Sequence, residues 1–103
     1  MSTVGGITEA KRIVDRVRDI GGLVIPGNWS TQILGCATVH MAAYSAVTPY
    51  IEFAPAEIYE SPLRKRIQQI GFPVAEGAIQ LPTTAGIGFD VSDELIEEFK
   101  MEY

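Results

Sequence analysis

The chain has 103 residues, enough for one hydrophobic core and well short of the ~250 that a complete (β/α)₈ barrel takes. Apolar residues make up 47% and charged residues 20%, the balance of a folded protein rather than a disordered one. Thirteen acidic against eight basic side chains give a net charge of −5, and no Lys/Arg patch is interleaved with aromatics, which argues against nucleic acid or an anionic membrane as partner.

From Thr8 to Ile20 the apolar residues Ala10, Ile13, Val14, Val17 and Ile20 recur at helical spacing, with Lys11, Arg12, Asp15, Arg16, Arg18 and Asp19 on the other face. The pattern predicts an amphipathic helix with Thr8 as N-cap and Gly21-Gly22 as a left-handed stop. Leu23-Val24-Ile25 is a short aliphatic run that suits a parallel strand covered on both faces, ending at Pro26-Gly27. A second helix, capped by Ser30 or Thr31 and running to about Ser45, carries apolar residues around nearly its whole circumference and is expected to be buried on more than one side.

Tyr50-Ile51-Glu52-Phe53 is the next predicted strand. Ser61-Pro62 reads as N-cap and first residue of a third helix, with Leu63, Ile67 and Ile70 on one face and Gly71 as its end. Gly77 to Pro82 predicts a short strand, and Ser92 caps a last helix with Asp93 and Glu94 beside its positive end. Helix and strand in alternation predict an α/β fold of right-handed parallel βα units.

The longest apolar run, Gly35 to Val47, is broken by His40 and by small or hydroxyl residues and is shorter than the ~20 residues that cross a bilayer. The first residues show no secretory signal pattern, so a cytoplasmic location is the expectation. Cys36 is the sole cysteine and His40 the sole histidine, which leaves no intrachain disulfide and no zinc-ligand spacing. Cys36 is expected to be a buried, inert thiol and His40 a satisfied core histidine.

Several local sequences, in order, resemble the end of an enolase-superfamily chain of the mandelate racemase and muconate-lactonizing type. Val4-Gly5-Gly6-Ile7-Thr8-Glu9 resembles the segment after the sixth barrel strand, Leu23-Val24-Ile25-Pro26 the seventh strand, and Thr38-Val39-His40-Met41-Ala42-Ala43 the helix that follows. Tyr50-Ile51-Glu52-Phe53 resembles the eighth strand, and Leu81-Pro82-Thr83-Thr84-Ala85-Gly86-Ile87-Gly88-Phe89-Asp90 the family's ending. The resemblance implies that residues 1–103 form a single segment of a (β/α) barrel, the C-terminal part of a TIM-barrel domain with parallel strands and flanking helices. It also implies a chain that is one piece of a longer enzyme.

In that family a Mg²⁺ held by carboxylates on the third, fourth and fifth strands stabilises an enolate formed next to a carboxylate. Those strands have no counterpart here, so no cofactor is expected in this chain itself. The resemblance gives Glu52 the place of an eighth-strand carboxylate that engages the substrate carboxylate, and so makes it the catalytic candidate. Gly27 stands where many members carry an acid/base histidine, and glycine cannot take a proton. Asn28 and Trp29, at the C-terminal end of a strand, are the substrate-binding candidates.

The expected activity of the whole enzyme is dehydration or epimerisation of a sugar acid or similar hydroxy acid, with the isolated chain inactive. A stand-alone assembly or binding protein derived from the barrel is the alternative. With so few strands, the expected partner is a second copy in a homo-oligomer or a complementing N-terminal barrel fragment.

Overall fold

The computed structural model describes residues 1–58 and 61–101. A 3-10 turn at Ser2–Val4 leads into helix α1, Ile7–Asp19. The N-cap is Gly6 rather than Thr8, because Gly5 and Gly6 take φ of 91° and 101° and turn the chain straight into the helix. Ala10 and Val14 are its buried residues. On the wet face Asp15 binds Lys11 at 2.7 Å and Arg18 at 3.1 Å, the helical spacing at which opposite charges meet. Gly21, at φ 72°, ends the helix as the glycine pair predicts.

Strand β1 is Gly27–Asn28 and β2 is Glu52–Phe53, paired in parallel with Gly27 opposite Glu52 and Asn28 opposite Phe53. Regular pairing begins after the predicted Leu23-Val24-Ile25 run, because Pro26 has no N–H to carry the ladder back. Contact persists irregularly, through Val24 N–H to the Val47 carbonyl at 2.9 Å and Glu52 N–H to the Pro26 carbonyl at 3.1 Å.

Helix α2, Gln32–Tyr44, lies between them in sequence, with Thr31 as N-cap. Its buried residues are Gln32, Gly35, Cys36, Thr38, Val39 and Met41, as an apolar circumference requires. One side joins Met41 to Ala10 and Val14; the other joins Cys36 and Val39 to Phe72. Phe72 also meets Phe53 edge to face, ring centres 6.2 Å apart. The expectation that His40 is satisfied does not hold: its Nε2 is buried with no hydrogen-bond partner among the described residues.

Helix α3, Pro62–Ile70, starts as predicted, with Ser61 Oγ accepting from the Arg64 N–H at 3.4 Å. The strand expected from Gly77 onward is one arm of an antiparallel hairpin, β3 Val74–Ala75 with β4 Ala78–Ile79. Its two-residue turn places Glu76 at φ 52° and Gly77 at φ 75°, the left-handed pair that tight hairpins need. Helix α4, Asp93–Phe99, has Ser92 Oγ accepting from the Leu95 N–H at 3.2 Å.

The two parallel strand segments alternate in burial. Leu23, Ile25, Gly27, Tyr50 and Glu52 are exposed, whereas Val24, Pro26, Asn28, Ile51 and Phe53 are partly or fully buried. One face of this α/β unit therefore packs on its helices and the other is open, with Leu23 68% and Tyr50 71% exposed. The expectation of a strand covered on both faces is corrected: the described residues supply helices for one side only.

Candidate functional site

The open face ends in Gly27 and Glu52, side by side in register at the ends of two parallel strands. Parallel pairing points both strands the same way, so both C-terminal ends open onto one edge. Period-2 alternation puts Gly27 and Glu52 on the same face as Leu23, Ile25 and Tyr50.

Trp29 follows β1 directly, and its indole Nε1–H donates to Glu52 Oε1 at 2.5 Å. The structure thus brings together two of the residues singled out by sequence, across 23 positions of chain. Trp29 is 59% exposed and Glu52 is also exposed, so the pair is open to a ligand.

Asn28 does not join them. It faces the helices, 3% exposed, and its amide is engaged in the turn: Oδ1 accepts from the Ser30 N–H and Nδ2 donates to the Thr31 carbonyl, each at 3.4 Å. The substrate-side place expected for Asn28 is therefore not where it lies. An asparagine that closes the turn two residues on is a familiar turn element, and here it fixes the loop from which Trp29 projects.

Two side chains that no local pattern singles out hold this edge in place. Arg64, in the first turn of α3, donates from Nη2 to the Trp29 carbonyl at 3.4 Å, and Gln68 Nε2 donates to the Ala54 carbonyl just past β2 at 3.2 Å. Nothing local marks them, because the contacts join residues 35 and 14 positions apart. Gln32 lies behind the loop, 2% exposed, with its Oε1 unpartnered among the described residues.

Cys36 is fully buried, and desolvation pushes its thiol up, partly offset by a backbone hydrogen bond from Phe72. That environment suits packing rather than nucleophilic chemistry. No described helix is long and apolar enough to cross a membrane.

Comparison with protein families gives a match to the enolase C-terminal domain-like family over residues 1–95. The chain belongs to this family. Neither the curated proteins nor the solved structures contain a match. The Mg²⁺ that the resemblance implies would need converging oxygen ligands. Among the described residues no group of three or more His, Cys, Asp or Glu is placed to hold an ion. Glu52 has an indole and a glycine beside it, whereas Mg²⁺ requires an octahedron of oxygens. The donor set of these residues does not fit the metal.

Proposed function

We propose that this enolase-superfamily chain forms the last βα units of a (β/α) barrel, and that Glu52 is its contribution to a site that removes a proton next to a carboxylate. The observation that carries this reading is the shared open face at the C-terminal ends of β1 and β2, where Glu52 stands with Trp29 and Gly27. Barrel enzymes build their sites at that end, from residues on several strands. Leu23, Ile25 and Tyr50 then occupy the barrel interior, where the remaining strands would cover them.

The substrate class that fits is a sugar acid or similar hydroxy acid, undergoing dehydration or epimerisation. One Glu52 oxygen is held by Trp29, and the other is left to hydrogen-bond with the substrate. That interaction strengthens as negative charge develops on the substrate, which favours the transition state. The metal belongs to the rest of the barrel, supplied by preceding residues or by another chain, and so does the group that moves the substrate proton.

The exposed apolar side chains of the open face also favour a second reading, a non-catalytic protein that uses this face for assembly. The two are separated by following exchange of the proton next to the carboxylate of a panel of sugar acids in deuterated buffer with Mg²⁺. The chain alone should give no exchange, and the chain combined with an N-terminal barrel portion bearing the metal carboxylates should give it. Absence of exchange from a folded, stoichiometric complex across the panel would favour the assembly reading.

A further inference from the structure

We infer that Trp29 is a positioning residue for Glu52. The part about positioning for catalysis rests on the role proposed for Glu52; the contact between the three residues does not. The Trp29 backbone is fixed on both sides, by the Asn28 turn behind it and by Arg64 Nη2 on its carbonyl. From there the indole reaches back across the strand pair. A methyl group on Gly27 would stand 3.9 Å from Trp29 Cδ1, an ordinary contact that places the indole beside Gly27.

Gly27 is in register with Glu52, so an indole lying over one meets the other, and Nε1–H donates to Oε1 at 2.5 Å. A carboxylate at an exposed strand end samples several rotamers; a charge-assisted hydrogen bond selects one. The indole N–H is a donor only. The wall that β1 contributes therefore orients a carboxylate and transfers no proton.

Trp29 is the sole tryptophan, so the full chain labelled with ¹⁵N gives one indole N–H signal. That signal is expected downfield and protected from exchange. Glu52→Ala, which removes the acceptor, should move it upfield and speed its exchange, and Gly27→Ala should leave it in place. The backbone amides of Ser30 and Ala54 report that the turn and the strand pair persist. An indole signal indifferent to Glu52→Ala, with those amides unmoved, would overturn the contact.

In the assembled barrel, Trp29→Phe should lower kcat about tenfold with a smaller change in KM, as misplacement of a catalytic group does. An unchanged kcat would overturn the positioning role. The two failures are separable from failure of the proposed function, because the indole signal is read without substrate and the role of Glu52 is read from its own variant.

Discussion

Replacing Gly35 by alanine sets two effects of opposite sign against each other. Gly35 is interior to α2, where exchange of glycine for alanine by itself gains about 1 kcal/mol of helix stability. The added methyl, however, would overlap Gln32 Oε1, and its carbon would lie 2.7 Å from Asn28 Nδ2 and 3.0 Å from Phe72 Cε1. All three neighbours are buried, so none can swing into solvent. Forcing a methyl group into such a site costs about 1–3 kcal/mol, and displacing the Asn28 amide from its turn adds about 1 kcal/mol. The net expectation is a loss of about 1–3 kcal/mol, or a fall of roughly 4–24 °C in Tm for a domain of this size. Urea denaturation followed by far-ultraviolet circular dichroism measures it. A Gly35→Ala chain as stable as the parent or more so would refute the argument that close approach, and not chance, keeps a glycine in α2.

Cys36 in the native chain should react with a thiol reagent far more slowly than in urea, because its thiol is buried and pushed up by desolvation; equal rates would contradict the packing. Asp15, bound by Lys11, Tyr44 and Arg18, is held below the ordinary carboxylate range, chiefly by the hydrogen bond from Lys11. Its contribution to stability is present above the unfolded pKa and is lost as pH falls through the lower folded one. The side-chain carboxyl signal of Asp15 should therefore titrate below that of the Lys11→Met variant, and coincident curves would remove the effect. The chain should also self-associate through its open face. Its accessible surface is 7033 Å², roughly 1,300 Å² above what a compact monomer of this mass exposes. A pairwise association of standard size buries about 800 Å² on each partner. Light scattering coupled to size exclusion at micromolar concentration should give a dimer or larger closed assembly, and a folded monomer near 11.2 kDa would contradict it.

Helix placement was legible wherever a local signal existed. Ser61-Pro62 and Ser92 cap their helices as read, and the Gly21-Gly22 stop holds, because capping and chain reversal depend on a few adjacent residues. The parallel pairing of the two strand regions followed from alternation. Their extents did not, since the position of Pro26 in the ladder depends on what the partner strand offers. The Glu76-Gly77 hairpin went unseen because glutamate is an unusual residue at positive φ, and only the pairing of Val74 with Ile79 requires it there. At the candidate site, Glu52 and Trp29 were both visible as strand-end residues, but the hydrogen bond that joins them was not. Asn28, a substrate-binding candidate by its place at a strand end, faces the helices, because one residue of strand register decides which face a side chain takes.

The central claim, that Glu52 acts on the substrate in an assembled barrel, is tested most directly by the kinetics of Glu52→Gln in the chain complemented with its metal-bearing portion. Glutamine keeps the size and an acceptor for Trp29 but lacks the carboxyl group proposed to meet the substrate. A kcat reduced by about 10²–10³-fold with a much smaller change in KM is the expected result, the loss seen when a group that stabilises developing charge is removed. A kcat equal to that of the parent would mean that Glu52 is a solvated carboxylate at the end of a strand.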